Sequence, residues 1–390
     1  MARFQRKDNV VVIMPTLSKI DDNVSQYIRC MLENGYVFNF VVFDEGTVFR
    51  EKNRERVENL KEEFGNVPIY YFGREEKRRF FGLLEKEGVP SKLLDIINEK
   101  PSYANARTKE FMIATLLGAD YVMSFDDDTY PHDRKIFRKH YSAIAKARKP
   151  ALIEGDYVGE RGTDYTMFKS SSAPTKKFLQ EFFKVLERPE PKGGYKVTRL
   201  KRQRMMLGGN FMINKVYKEI VCAPVIKTHG SDEFFPTDMV LRKGGRILQG
   251  TTVLHKHGED WAGKRVMEYF TRSYMLSFVR RHLMYYLLSE MEREYGDIYI
   301  KDSGWAKAFI FDKEPVLVEV VGNYRADLAR LNQEHKNPNV RLLCDALAEE
   351  GVAEKLAEQT THAIWNFVVL HNAWPKVMDA IGNVDKEAVF

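Results

Sequence analysis

The residues best suited to chemistry are three consecutive aspartates, Asp126, Asp127 and Asp128, which directly follow a short apolar run at 121–125. Adjacent carboxylates repel one another unless a cation or solvent relieves the charge. Mg²⁺ and Mn²⁺ prefer oxygen ligands and keep coordination positions open for phosphate oxygens. The triplet therefore predicts a divalent-metal site with Asp126 and Asp128 as ligands. A solvated acidic turn or a helix cap is the alternative that the sequence leaves open.

Two acidic pairs are further candidates. Asp44 and Glu45 follow the strand-like segment 38–43, and Asp232 and Glu233 stand at the start of a predicted helix. An ionised carboxylate such as that of Asp44 can only accept hydrogen bonds, which suits a base or ribose group. A carboxylate of the second pair could deprotonate a hydroxyl group. The helix dipole favours acids at that position whatever their function, so a helix cap is the alternative.

Two histidines follow the predicted strand 246–254. Imidazole is a common ligand for divalent metals, so His255 or His257 could complete the metal site. Alternate residues of a strand face opposite sides, so only one of the two can face the metal. We take His255 as the candidate, with a purely structural histidine as the alternative.

These residues need elements that hold them at a common edge. The first 125 residues alternate apolar segments with helical patterns; strands are predicted at 10–14, 38–43, 67–72 and 121–125, and helices at 19–34, 50–64 and 102–118. Repeated strand–helix–strand order predicts an α/β fold around a mostly parallel sheet flanked by helices. Because carboxyl ends of parallel strands share an edge, Asp44 and Asp126 are expected at the same rim.

Five segments in this order, around ADYVMSFDDDTYP at 119–131, resemble the GT-A glycosyltransferases, particularly the family 2-like group. They are VVVIMPTL at 10–17, VVFDEGT at 41–47, YANARTKEFMIA at 103–114, GGNFMI at 208–213 and DEFFPTDMVLRKGGRI at 232–247. The resemblance covers roughly residues 9–260 and implies a GT-A, Rossmann-like domain. Two features depart from the family pattern: Phe43 stands where an acid is frequent, and the usual Glu-Asp pair is Asp232-Glu233.

The resemblance also implies roles for individual residues. The metal, Mn²⁺ or Mg²⁺, would hold the diphosphate of a UDP- or GDP-sugar, and Glu233, with Asp232 beside it, would be the catalytic base. The implied metal ligands are Asp126, Asp128 and His255. The implied donor-binding residues are Pro15, Thr16, Asp44, Glu45, Arg107, Asp126, Asp127, Gly209 and Asn210.

Length and composition set the remaining expectations. With 390 residues the chain is too long for a single ordinary core, so we expect a catalytic domain at 1–260 and a mainly helical domain at 261–390. The three cysteines are far apart, and the apolar runs are too short for a signal peptide or a membrane span. A cytoplasmic protein is expected on these grounds.

The acceptor stays open at this stage. Residues 192–204 hold six basic residues and no acidic one, which suits an anionic acceptor or a clamp over a diphosphate. Arginines within the helical pattern 262–292 leave peripheral membrane contact open. A modified nucleic-acid base is a further acceptor that the net charge of +6 does not favour. A nucleotidyltransferase, which usually carries a glycine-rich loop that PTLSKIDDN lacks, and a non-catalytic nucleotide-sugar-binding protein are the competing functions.

Overall fold

A computed structural model describes residues 8–46, 48–99, 103–147, 149–155, 157–159, 209–221, 236, 239–255, 272–336 and 338–390. The strands are β1 (Val10–Thr16), β2 (Asn39–Asp44), β3 (Ile69–Phe72), β4 (Tyr121–Phe125), β5 (Thr129–Tyr130), β6 (Ala151–Glu154), β7 (Tyr157–Gly159), β8 (Asn210–Asn214), β9 (Arg246–Gln249) and β10 (Val253–His255). The α-helices before residue 150 are α1 (Asn23–Glu33), α2 (Arg50–Glu63), α3 (Arg74–Lys86), α4 (Ser91–Asn98), α5 (Tyr103–Leu116) and α6 (Ile136–Ile144).

Seven strands form the main sheet in the order β3-β2-β1-β4-β8-β6-β9, and β5, β10 and β7 form a small second sheet. Within the main sheet β8 runs antiparallel to both of its neighbours, and the other pairs are parallel. The fold class predicted from the sequence, a mostly parallel α/β sheet flanked by helices, is therefore confirmed. The antiparallel β8 was not predicted.

The interior strand β1 shows why this sheet forms. Its sequence VVVIMPT is rich in β-branched residues, and Val10 to Met14 are at most 1% exposed, as expected for a strand covered on both faces. Val10, Val12 and Met14 belong to a hydrophobic cluster shared with α1, α2 and α6. Val11 and Ile13 belong to a second cluster with α3, α4 and α5. Helices thus cover both faces.

The chain after residue 271 is helical. Its helices are α7 (Arg272–Tyr295), α8 (Ser303–Asp312), α9 (Glu314–His335), α10 (Pro338–Ala348) and α11 (Val352–Asn383). The 32-residue α11 packs against α7, α8 and α9 and also against α5, α3 and α4 of the α/β region. After it, Phe390 packs against Tyr70 and Phe72, and Arg79 donates two hydrogen bonds to the carbonyl of Val389.

Two consequences bear on the expected domains. The hydrophobic cluster on the α5 face contains side chains from both sides of residue 260, so the described parts of the two predicted domains share a core. The division at 260 itself lies within residues outside the described ranges and stays a prediction. No helix in the described residues is long and apolar enough to cross a membrane.

The segment 246–254, predicted as a single strand, is divided at Gly250. β9 ends at Gln249 in the main sheet, and β10 begins at Val253 in the small sheet. A Cβ atom on Gly250 would lie 2.6 Å from Nε2 of His140, so the chain passes there at a distance that only glycine permits. Hydrophobicity alone does not distinguish a long strand from two short strands that join different sheets.

Candidate active site

The carboxyl ends of β2, β1 and β4 form an acidic rim, which we define as Asp44, Glu45 and Asp126 to Asp128. Thr16, the last residue of β1, is paired with Asp44, the last residue of β2. Its hydroxyl lies 2.5 Å from Oδ2 of Asp127, which follows β4. The strand order therefore brings both acidic groups to the same edge, as the sequence indicated.

The turn that carries the three aspartates is held by buried polar residues. The Thr129 N–H and hydroxyl both donate to the carbonyl of Asp126, at 3.1 and 2.7 Å. Asn23 of α1 donates to the carbonyl of Asp127 at 2.6 Å, and both Asn23 and Thr129 are fully buried. The sequence prediction missed these residues, because a lone asparagine at a helix start reads as an ordinary helix-capping residue.

The turn concentrates negative charge. Burial raises the pKa of Asp127 to about 6, and repulsion by Asp128 and Asp126 adds to the effect. Oδ1 of Asp126 accepts a hydrogen bond from Nη2 of Arg107 at 3.0 Å. A bound cation would relieve the remaining repulsion, which is the chemical reason to place a divalent ion here.

Arg107 lies beneath the rim. Its side chain is 3% exposed, and Nη1 donates to Glu110 at 2.5 Å and to the Ser124 hydroxyl at 2.8 Å. Burial raises the pKa of Glu110 to about 7 although Arg107 opposes the shift. Arg107 was predicted to border the donor. In the structure its guanidinium joins Asp126 to the buried residues of α5 and β4.

Asp44 and Glu45 are also buried and bonded within the protein. Asp44 accepts from the Gly46 N–H at 2.8 Å, and from the Asn53 amide and the Tyr71 hydroxyl at 2.9 Å each. Glu45 accepts from Lys109 at 2.5 Å and from Lys77 at 3.3 Å, and its side chain is 5% exposed. Burial lowers the pKa of Lys109 to about 8, against the attraction of Glu45.

The small sheet brings a further predicted ligand to the rim. β5 begins at Thr129, directly after Asp128, and pairs antiparallel with β10 so that His255 stands opposite Thr129. β10 also pairs with β7, which places His255 opposite Gly159. The backbone therefore brings the residue predicted as third metal ligand next to the aspartate turn, across a sheet that the sequence did not reveal.

Gly209 and Asn210 lie at the same edge. The carbonyl of Gly209 accepts from the Asp126 N–H at 3.2 Å, and Asn210 is paired with Phe125. Asn210 is fully buried, and its amide donates to the carbonyl of Thr251 at 2.8 Å. Pro15 is half-buried within β1 beside Phe43. The donor-binding roles of these residues stay predictions.

Several predicted features lie outside the described residues. They are Asp232 and Glu233, the alternative histidine His257, and the basic segment 192–204. The catalytic-base assignment therefore stays a prediction.

The protein residues available as metal ligands suit an open site, in which water and substrate phosphates complete the coordination. Among the described side chains no three acidic, histidine or cysteine residues are gathered as a complete set of ligands. Mg²⁺ in phosphate-handling sites is held by one or two carboxylates together with water and substrate phosphates. The aspartate turn, with His255 beside it in the backbone, matches that partial set. Such a site can neutralise a diphosphate leaving group.

Neither a family model nor a curated protein sequence matches the chain. Similar solved structures include glucosyl-3-phosphoglycerate synthase from Mycobacterium tuberculosis with Mn²⁺, uridine diphosphate and phosphoglyceric acid. That match has 14% identity and a TM-score of 0.40, over 70% of this chain and 79% of that chain. The complex with Mn²⁺, uridine diphosphate glucose and phosphoglyceric acid matches at 13% identity and a TM-score of 0.41, over 70% and 80%.

A third similar structure is the complex of the same synthase with Mn²⁺, uridine diphosphate glucose and glycerol 3-phosphate. It matches at 13% identity and a TM-score of 0.36, over 65% of this chain and 73% of that chain. At these identities and TM-scores, the three matches assign neither a family nor a role to this chain.

Proposed function

We propose that this chain is a metal-dependent glycosyltransferase that moves a sugar from a nucleotide-diphosphate sugar to an acceptor hydroxyl. The observation that carries the proposal is the aspartate turn after β4. It is tied to the end of β1 through Thr16, and Thr129, the residue directly after it, stands opposite His255 of β10. The described parts of the segments at 10–17, 41–47 and 119–131, which resemble those of the GT-A enzymes, thus end next to a place where a divalent ion is electrostatically favoured.

The metal site would consist of Asp126 and Asp128, with His255 as third ligand. Mn²⁺ or Mg²⁺ bound there supplies charge that neutralises the departing nucleoside diphosphate. Asp127, which is bonded to Thr16, would add negative charge next to the two ligands. Arg107 fixes one oxygen of Asp126 and so orients that carboxylate toward the site.

The donor would lie over the ends of β1 and β2, with Pro15, Thr16, Asp44 and Glu45 beneath it and Gly209 and Asn210 beside the metal. Because Asp44 already accepts three hydrogen bonds, we assign it the role of shaping the loop at Gly46. The UDP- or GDP-sugar and the acceptor, for which an anionic molecule is our proposal, are the identities to determine. Glu233 would take the acceptor proton in an inverting transfer, with Asp232 beside it.

A ligand screen with matched variants tests the function. Thermal unfolding is measured with UDP- and GDP-sugars, each with and without Mn²⁺, since a ligand of the native state raises the midpoint. We expect a selective, Mn²⁺-dependent stabilisation that Asp128→Ala abolishes, together with transfer that excess EDTA stops. The control is Asp120→Asn, at the opposite end of β4, where the carboxylate binds Lys215 and the Asn9 N–H.

The outcomes distinguish the competing functions. Undiminished transfer in excess EDTA would contradict the metal site. Mn²⁺-dependent binding of a nucleotide sugar without transfer to any acceptor would identify a binding protein. Release of pyrophosphate from a nucleoside triphosphate would identify a nucleotidyltransferase instead.

A further inference from the structure

The peptide group of Thr251, between β9 and β10, is held by side chains on both sides. Its N–H donates to Nε2 of His140 at 2.9 Å, and its carbonyl accepts from the Asn210 amide at 2.8 Å. His140 lies on α6 and is 1% exposed, and Asn210 opens β8 and is fully buried. Two separate elements therefore fix a single peptide in the loop.

The hydrogen bond from Thr251 explains why a histidine is buried in α6. Burial lowers the pKa of His140 to about 3, so the imidazole is neutral and Nε2 can accept while Nδ1 carries the proton. Among the described atoms Nδ1 has no hydrogen-bond partner. A buried unpaired donor is unfavourable, so a phenylalanine would suit a purely packing role better. The acceptor at Nε2 is what the ring contributes.

The backbone around Thr251 is packed closely against its neighbours. A Cβ on Gly250 would lie 2.6 Å from Nε2 of His140, and a Cβ on Gly155 would lie 1.9 Å from Nδ2 of Asn210. The Gly155 N–H also donates to the Asn210 carbonyl at 2.8 Å. These close approaches restrict where the backbone of the β9–β10 loop can lie between the two sheets.

The fixed loop leads directly to the candidate metal site. The chain leaves the main sheet at Gln249 and enters the small sheet at Val253, so Thr251 is the point at which its direction is set. Four residues after Thr251, His255 stands opposite Thr129, which follows the three aspartates. A displacement of Thr251 would therefore move β10 relative to the aspartate turn.

We infer that His140 and Asn210 are positioning residues for the metal, because by holding the Thr251 peptide they set the place of His255 beside Asp126 and Asp128. The inference rests on the function proposed above. Neither side chain is a ligand. Residues that orient a ligand typically change metal affinity by roughly 10- to 100-fold when they are replaced.

The test is a titration of the full-length protein with Mn²⁺ alone, in which free Mn²⁺ is counted by electron paramagnetic resonance. His255→Ala sets the loss caused by removing the proposed ligand. We expect His140→Phe, which removes the acceptor, to weaken Mn²⁺ binding about ten-fold. His140→Gln keeps an oxygen that can accept from Thr251, and we expect it to recover most of the affinity.

A double-variant cycle separates positioning from general damage. If His140 acts through His255, His140→Phe has no further effect in the His255→Ala background. The matched control is Tyr141→Phe, the next residue of α6, which loses a buried hydroxyl that binds Asp8. We expect that variant to keep the wild-type Mn²⁺ affinity. If His140→Phe does not fold, Asn210→Ser replaces it in the cycle, because it removes the bond to the Thr251 carbonyl.

An equal loss of affinity in both backgrounds would overturn the inference, as would an unchanged affinity in His140→Phe while Asp128→Ala abolishes binding. In that second case the proposed function stands without the inference. Absence of Mn²⁺ binding by the wild type, with and without a nucleotide sugar, would overturn both.

Discussion

Arg107 donates a hydrogen bond to Glu110 directly beneath the acidic rim, and ionising Glu110 there has a pH-dependent free-energy cost. The pKa of the fully buried Glu110 is raised from 4.5 to about 7, chiefly by burial. The native state therefore keeps a proton that the unfolded chain has released between these pH values. The stability contributed by this proton is fully present below pH 4.5 and is lost as pH rises through 7.

This sign gives a testable prediction. The free energy of unfolding of the wild type should fall relative to that of Glu110→Gln as pH rises from about 4.5 to about 7, by on the order of 3 kcal/mol. Above that range the difference should be constant. Urea unfolding of both proteins at a series of pH values measures this difference. If it does not change with pH, the pKa of the buried Glu110 is not raised.

The second prediction at the scale of single residues concerns the proposed base. Glu233→Gln should lower kcat far more than it changes KM, because a base acts in the transition state and adds little to ground-state binding. The same change at Asp232 should be milder. Steady-state kinetics and the anomeric configuration of the product provide the measurement. A retained configuration, or a near-normal kcat in Glu233→Gln, would remove the base role.

Residue types predicted the acidic residues of the rim better than the buried polar residues that support them. The aspartate triplet and Asp44 were placed at a common edge by their positions after apolar strands, and the structure has them there. Asn23, Thr129, Glu110 and His140 could not be found in this way. Asn23, Thr129 and His140 make contacts with residues 102 to 111 positions away in the chain, which no local pattern encodes. Glu110 bonds to Arg107 three positions away, but its raised pKa comes from burial, which only the complete fold produces.

Gly155 lies where the ends of β6 and β8 meet the β9–β10 loop. The space there holds a glycine but no larger residue. An added Cβ would lie 1.9 Å from Asn210 and 2.4 Å from the Thr251 carbonyl. We expect Gly155→Ala to lower the free energy of unfolding by about 1–3 kcal/mol, as overpacking does.

Gly82 provides the matched comparison. It lies inside α3, and a Cβ there meets no atom within 4 Å. Gly82→Ala should raise the free energy of unfolding by about 0.5–1 kcal/mol, since alanine loses less backbone freedom in a helix. Chemical denaturation of both variants measures the pair. Equal and small effects would show that the strands can move apart at Gly155.

The elements themselves were predicted where periodicity is strong. The bounds of β4 agree with the sequence prediction, and α1, α2 and α5 agree to within a few residues. The strands β5, β7 and β10 have two or three residues each, which is too short for a pattern. They matter for function nonetheless, since they bring His255 to the aspartate turn.

For the molecule as a whole, α11 joins the helical region to the sheet. Trp374 of α11 is 1% exposed within the shared cluster, and Thr115 of α5 contacts Met378 of α11 at 3.3 Å. The described parts of both regions should therefore unfold together. Trp374→Ala should lower the free energy of unfolding by about 3–5 kcal/mol. In calorimetry we expect one unfolding transition, with a lower midpoint temperature in the variant.

The control is Trp305→Ala in α8, where the ring is half-buried against Phe309 and Tyr295. It should cost less and shift the same transition. The opposite outcome is two transitions in the wild type, with Trp374→Ala changing the midpoint of only one of them. That result would show independent domains divided near residue 260.

The contact of Arg79, Tyr70 and Phe72 with residues 389 and 390 has a consequence for synthesis. Arg79 and Val389 are separated by 310 positions in the chain. Domains commonly fold while the ribosome is still extending the chain, starting with the N-terminal part. Tyr70 and Phe72 therefore lack the covering ring of Phe390 until residue 390 has been translated. While the 310 positions between Arg79 and Val389 are being made, these aromatic side chains of β3 stay partly uncovered, and a chaperone could protect them.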